Sequence, residues 1–306
     1  MTVPVQREKV RFVSGEDECA AWHYPGSNGA CVVMAGGMAM TKEPGTDRFA
    51  WRFSDAGFAV LAFDYRGFGE SGGRPRQVVR VNEQLADWQA AIALARRLPG
   101  VDRARVAAWG FSFSGGHVLR VAAADSGLAA AIAQTPTADG QAATRNAMRH
   151  QTPLALLRLM GRGTLDALGG VVGRDPLLVP LSGEPGTVAV LTTPDALDDD
   201  AAIDPDGRYA DWHRAVAARS ALRAGFYRPG RSASRVRCPL LVVVCDQDQS
   251  ALAEPSARAA RRAPRGELVR LAGGHYGPFL AAHEAAVEAE VDFLRRHLLG
   301  DEPPVS

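Results

Sequence analysis

Arg105-Val-Ala-Ala-Trp-Gly-Phe-Ser112-Phe-Ser-Gly-Gly-His117 decides the reading of this chain. An apolar strand, about residues 105–109, runs into a small-residue turn and then into a helix that extends to about residue 124. A serine at the apex of such a turn needs small residues two positions before and after it, because the strained backbone presses strand against helix there. Gly110, Ser114 and Gly115 supply them. The turn lifts the Ser112 hydroxyl out of the sheet edge and aims the Phe113 backbone N–H at the same space from a helix N-terminus. Ser114 competes for the nucleophile's place, but centring the turn on it puts Ser112 rather than a glycine two positions earlier. Ser112 is therefore assigned.

Around this segment the pattern is alternating strand and helix. Residues 9–13, 19–24, 30–35 and 59–64 read as strands, the first two as a hairpin. Val81, Leu85, Trp88, Ile92 and Ala95 recur at spacings of three and four, which predicts a helix over 78–98, stopped by Pro99-Gly100. Further strands are expected at 128–134, 239–245 and 267–271, with helices at 252–263 and 280–299. Strand, helix and strand in that order imply right-handed parallel crossovers. Residues 136–234 break the pattern: helical stretches are interrupted by Gly and Pro, Asp198-Asp199-Asp200 forms an acidic run, and the one strand-like stretch is 187–191. The expected architecture is α/β: a mostly parallel eight-stranded sheet flanked by helices, its core at 1–135 and 235–300, with an inserted, mainly helical cap at 136–234 and a tail at 301–306.

Composition narrows the partners. Of 306 residues 46% are apolar and 23% charged, and the net charge of +1 gives no basic surface for nucleic acid. The first residues lack an apolar leader and no run of about 18 apolar residues occurs, so no membrane span and a cytoplasmic location are expected. Cys19, Cys31, Cys238 and Cys245 form no CxxC pair and read as core packing. No HExxH or Cys/His cluster suggests a metal, and no glycine fingerprint suggests a dinucleotide, so no cofactor is expected. The segment from Asp64 to Ser71 lacks the Lys-Ser/Thr ending of a phosphate loop and reads as a structural turn near the site.

A serine hydroxyl needs a base, and the base needs an orienting carboxylate. Among seven histidines, His275 stands in Leu271-Ala-Gly-Gly-His-Tyr-Gly-Pro, on a loop after the last expected strand. The strand before it ends in Asp246-Gln-Asp248, at the carboxyl end where α/β sheets place their sites. Asp246 still belongs to the strand, whereas Asp248 lies in the turn and reaches a loop histidine; Asp248 is chosen.

Val33-Met-Ala-Gly-Gly-Met-Ala-Met-Thr-Lys-Glu43, Phe63-Asp-Tyr-Arg-Gly-Phe-Gly-Glu-Ser-Gly-Gly73, the Ser112 segment and Gly273-Gly-His-Tyr276 resemble the bacterial and fungal α/β hydrolases. Those include serine esterases, thioesterases and polyketide-processing acyl hydrolases or transferases. The resemblance implies a second oxyanion N–H at Met38, although Gly36-Gly37 stands where the family has His-Gly. It implies a serine hydrolase that cleaves a carboxylic ester or thioester through Ser112, His275 and Asp248. An acyltransferase or cyclase acting on a polyketide-like or acyl-thioester substrate needs the same residues, and a non-catalytic small-molecule binder on this fold is the third reading. The expected partner is an apolar small-molecule acyl substrate, with a homodimer left open. The stretch 154–160, Trp212, Phe226 and Tyr227 read either as the lining of an apolar chamber or as cap core. Arg145, Asn146, Arg149 and His150 read equally as site-facing groups or as a solvated helix face.

Overall fold

Short runs of Val, Leu, Ile and Ala bounded by glycine form the centre of one sheet, and every residue of β3 (Cys31–Ala35), β4 (Ala59–Phe63), β5 (Val106–Phe111), β6 (Ala130–Gln134) and β9 (Leu240–Cys245) is buried. Burial of both faces marks strands covered by helices on each side. The computed structural model describes residues 6–300, so the tail expected at 301–306 lies outside the described residues. Before β3 come β1 (Glu8–Ser14) and β2 (Asp17–Tyr24), an antiparallel hairpin. With β10 (Gly266–Leu271) they complete an eight-stranded sheet of order β1-β2-β4-β3-β5-β6-β9-β10, parallel from β4 onward.

Strand alternation divides the core in two. Val33, Leu61, Ala108 and Val242 face Trp88 of α2 (Val81–Ala95), Val118 of α3 (Phe113–Ala124) and Ala259 of α8 (Ala253–Arg262). Val32, Val60, Trp109 and Val243 face Phe49 and Phe53 of α1 (Thr46–Asp55) and Val287 and Phe293 of α9 (His283–Leu294). All four cysteines are free and buried.

Between β6 and β9 the chain forms α4 (Gly140–Ala147), α5 (Pro153–Val171), β7 (Leu178–Pro180), α6 (Asp199–Ile203), β8 (Ala215–Ala217) and α7 (Ala218–Ala224). The strand expected at 187–191 does not form. The Thr187 N–H and hydroxyl both bond the Glu184 carbonyl at 3.1 and 2.7 Å, which bends the chain and leaves one bridge, Ser182 to Leu191. The antiparallel pair is β7 with β8 instead. Gln77 anchors this segment: its side chain donates to the Ala215 carbonyl at 2.6 Å, and its own carbonyl accepts from Ala217 N at 2.8 Å. Val79 N donates to Ser220 Oγ at 3.0 Å, so the amides before α2 are used across the segment and the helix starts at Val81, not at residue 78. The last helix likewise starts at His283, because Gly277–Phe279 first form a separate short turn.

Asp64, directly after β4, is buried and would be costly to ionise there alone. It accepts from Lys42 Nζ at 2.9 Å, Lys42 N at 2.6 Å and Glu70 N at 2.9 Å. Lys42 Nζ also reaches Glu70 at 2.6 Å, and Lys9 reaches the other Glu70 oxygen at 2.6 Å, so both lysines of the chain end on this cluster. Hydrogen bonds from Lys42 and Lys9 hold the Glu70 carboxyl down at about 2. Lys42→Met leaves Asp64 buried and uncompensated, and urea unfolding should show a loss of about 3–5 kcal/mol. Lys9→Met, at the exposed end of the same cluster, should cost less than about 1 kcal/mol.

Candidate active site

The site is built on the turn between β5 and α3. Ser112 occupies φ 55°, ψ −117°, a region that L-residues avoid. Close packing holds it there: a Cβ at Gly110 would stand 2.5 Å from the Ser114 carbonyl oxygen, and one at Gly115 would stand 2.9 Å from the Gly110 oxygen. Ser112 N donates to Gln134 O at 2.9 Å, and Ser112 O accepts from Gly116 N and Thr137 N, both at 3.0 Å. With its backbone tied to β6 and α3, the side chain points off the sheet's carboxyl edge.

Three predicted residues meet in one chain of hydrogen bonds. Ser112 Oγ lies 2.9 Å from His275 Nε2, and His275 Nδ1 lies 2.9 Å from Asp248 Oδ2. The other Asp248 oxygen accepts from Ser250 N at 2.9 Å and Ala251 N at 2.7 Å. A carboxylate that only accepts requires the proton on Nδ1, which leaves the Nε2 lone pair facing the Ser112 hydroxyl. Burial works to lower the pKa of His275, but the charge of Asp248, their hydrogen bond and the charge of Asp195 outweigh it and hold the imidazole above its ordinary range. Phe111 stacks against the ring at 5.1 Å between centroids. The rival Asp246 points elsewhere, to Arg270 at 2.6 Å on the exposed edge. His117, on α3, is a buried core histidine that bonds Gln84 and Tyr227, and burial pushes it down to about 3.

Phe113 and Met38 flank Ser112. Phe113 is the first residue of α3, so its N–H has no acceptor within the helix. Met38 follows Gly37, which lies against the nucleophile candidate: a Cβ on Gly37 would be 3.1 Å from Ser112 Cβ. Ser114 is buried. Its hydroxyl donates to the Gly36 carbonyl. It also lies 2.6 Å from Tyr65 OH, which accepts from Trp88 Nε1 at 2.7 Å. Ser114 has one proton, so the order is fixed as Trp88 to Tyr65 to Ser114 to Gly36. The chain of donors clamps the loop that carries Met38 onto the helix that carries Phe113.

The residue that sequence reasoning missed is Asp195, in the short turn Pro194–Asp198 before α6. One of its oxygens accepts from Gln249 N at 2.7 Å and His275 N at 3.0 Å, and the other from Ser250 Oγ at 3.0 Å. It thus ties together the loops that carry Asp248 and His275. Burial works to raise its pKa, but the charge of His275 and the hydrogen bonds it accepts hold it below the usual carboxylate range. No local signal in the sequence marks it. Asn146 donates to Gln249 O at 2.7 Å on the same loop, whereas Arg145 and Arg149 are exposed. Of the chamber candidates, Leu154, Leu157, Met160 and Phe226 face solvent, the last 80% exposed. Trp212 bonds the Ala39 carbonyl at 2.9 Å, and Tyr227 is buried beside Phe113. A cavity of about 430 Å³ borders Phe113 and is lined by Val79, Arg80, Glu83, Ser220 and Arg223; neither Ser112 nor His275 lines it.

Two outcomes are expected when the rate of Ser112 modification by a fluorophosphonate is followed against pH. Asp195→Asn removes a negative charge beside His275, so the imidazole loses its proton more readily and the acid limb of the profile moves to lower pH. Ser114→Ala keeps the adduct on Ser112 but slows its formation by about 10- to 100-fold, as the oxyanion loop is released.

A family model described as serine aminopeptidase, S33, matches residues 26–275. The chain is 41% identical over 298 residues to the quorum-quenching protein AidA of Acinetobacter baumannii (strain MDR-ZJ06), covering 96% of each chain. It is 32% identical over 168 residues to the polyketide transferase grgF of a Penicillium species, covering 55% of this chain and 54% of that one. The crystal structure of the α/β hydrolase GrgF from Penicillium sp. sh18 superposes with a TM-score of 0.78 at 23% identity, over 96% of this chain and 99% of that one, a likeness of fold. Among the described residues no helix is long and apolar enough to cross a membrane. With a family model that matches residues 26–275 and a relative 41% identical over 96% of both chains, the chain belongs to the serine aminopeptidase S33 family of α/β-hydrolase enzymes.

Proposed function

We propose that the protein is a serine hydrolase that cleaves a carboxylic ester or thioester, with Ser112 as nucleophile, His275 as base and Asp248 as orienting acid. The observation that carries this reading is the hydrogen-bonded chain from Ser112 through His275 to Asp248, with both links at 2.9 Å. His275 takes the hydroxyl proton as Ser112 Oγ attacks the acyl carbon. The Phe113 and Met38 N–H groups hold the oxyanion, and His275 then gives its proton to the leaving alcohol or thiol. Water, deprotonated by the same imidazole, releases the acyl-enzyme. No cofactor enters these steps, and the substrate is a small apolar acyl compound.

In this reading residues 136–234 act as a cap over the site. Trp212 on the oxyanion loop, Asp195 on the His275 loop and Asn146 on the Asp248 loop are among its contacts with the machinery. The relative AidA is named a quorum-quenching protein, which adds lactones, the cyclic form of the ester bond, to the substrates worth testing. A second reading, acyl transfer or cyclisation with an alcohol or amine in place of water, is favoured by the 32% identity to a polyketide transferase. The binder reading loses ground because all three positions are filled and joined.

Mass spectrometry after fluorophosphonate treatment should find one adduct, on Ser112, that is absent in Ser112→Ala and strongly reduced in His275→Ala. Turnover of acyl esters, thioesters and lactones should fall by at least ~10⁴-fold in Ser112→Ala. An unmodified, folded protein would leave the binder reading. Added alcohols that divert the acyl group without changing its rate of release from the first leaving group would favour transfer. In wild type, kcat/KM should decline on the acid side through a pKa above the ordinary histidine value, because the base works only when neutral and its neighbours hold it protonated.

A further inference from the structure

The cavity of about 430 Å³ beside Phe113 lies between the first turn of α2 and α7, with Val79, Val81 and Phe113 among its apolar walls. On the α2 side, Arg80 caps the helix without a side-chain hydrogen bond, and the N–H groups of Val81, Asn82 and Glu83 have no acceptor among the described residues. These residues border the cavity, so the positive end of a 15-residue helix opens onto it. On the α7 side, Ser220 is 1% exposed. Its Oγ accepts from Val79 N at 3.0 Å, while its own proton has no acceptor among the described residues. Arg80 pairs with Glu83 at 3.1 Å, which leaves the charge of Arg223, at the exposed rim, without a partner among the described residues. Position decides which part of a substrate reaches this space. Phe113 follows Ser112 in the chain, whereas His275 does not border the cavity. The leaving group must lie against His275, which protonates it, so the acyl side extends past Phe113.

We propose that this cavity binds a carboxylate at the far end of the substrate's acyl chain, so that the preferred substrates are half-esters or half-thioesters of dicarboxylic acids. The proposal rests on the reading of Ser112 as nucleophile and adds the substrate class to it. A carboxylate accepts several hydrogen bonds at once, and it meets the helix N–H groups, the Ser220 hydroxyl and the Arg223 guanidinium together. A methyl end would leave the buried Ser220 proton without an acceptor and the Arg223 charge without a partner. The methylenes between the two carboxyl groups pack on Val79, Val81 and Phe113, in the manner of a largely apolar pocket with a few placed polar groups.

The test compares kcat/KM for p-nitrophenyl half-esters of adipic, suberic and sebacic acids with kcat/KM for the same compounds methylated at the free acid. Wild type should favour the acid over its methyl ester by at least about tenfold at the best-fitting length, and added salt should reduce that ratio. Arg223→Met should remove most of the preference; the side chain is exposed, so its loss spares the fold. Arg162→Met, an exposed arginine of α5 that does not line the cavity, should show the wild-type ratio. Fluorophosphonate modification of Ser112, followed in every variant, reads the nucleophile separately. If Ser112 is modified and the esters are cleaved, but the methylated compounds serve as well as the acids or the preference survives Arg223→Met in full, the carboxylate site is wrong and the hydrolase reading stands. Equal use of both compounds, with both inhibited by inorganic phosphate, would give the cavity to a free anion and also overturn the proposal. No adduct and no turnover would remove the hydrolase reading and this proposal together.

Discussion

The backbone of Ser112 sits in a conformation that costs on the order of 1–3 kcal/mol, and the site depends on its being held there. The strain is sustained by geometry on both sides of the turn. Gly110 and Gly115 let β5 and α3 come within a distance that any side chain would prevent, and the Ser112 amide and carbonyl are both bonded to the strand and loop beside them. Relaxing φ toward ordinary values would swing the hydroxyl away from His275 and separate the Phe113 N–H from the space it shares with Met38. One strained residue therefore sets the relation of the Ser112 hydroxyl to His275 and to the Phe113 N–H.

Ser114 and Gly36 belong to one arrangement, in which the Ser114 hydroxyl donates to the Gly36 carbonyl. A glycine at 114 would leave the Tyr65 hydroxyl, itself buried and bonded by Trp88, without its acceptor, and would leave the Gly36 carbonyl without its donor. Buried polar groups left unpaired cost about 1–3 kcal/mol each. The hydroxyl at 114 satisfies both, and it fits because the approach of β5 is made at Gly110. Lys42 and Asp64 support the far end of the same loop through buried charge, so the loop that carries Met38 is held at both ends by polar groups rather than by packing alone.

What was legible in the sequence is what is encoded locally. The turn at Ser112, the carboxyl ends of β9 and β10, and the glycines before His275 each announce their structure within a few residues, and the parallel crossovers follow from the alternation of strand and helix. Tyr65, Trp88 and Asp195 were not legible as site residues, because their parts come from contacts 49, 23 and 80 positions away. Helix α5 shows a different limit. Its apolar spacing is the same whether Leu154, Leu157 and Met160 line a chamber or face outward, and what decides between them is Asp166, one polar residue that Arg219 pulls inward. Likewise the strand expected at 187–191 had the right residue types, but the turn at Glu184 takes the Thr187 amide, and only the amides of Val190 and Leu191 reach across to the carbonyls of Pro180 and Leu181.

Asp195 joins the β6–β9 segment to the loops that carry Asp248 and His275. Its carboxylate accepts from the main chain of His275 and from the Asp248 loop at once, so the spacing of these two loops is braced by a residue from outside the sheet. A buried carboxylate tolerates this position only because three donors and the nearby imidazole compensate its charge. Removal of the turn 194–198 from the site would therefore do two things together: it would release the His275 loop and withdraw a negative charge from the imidazole.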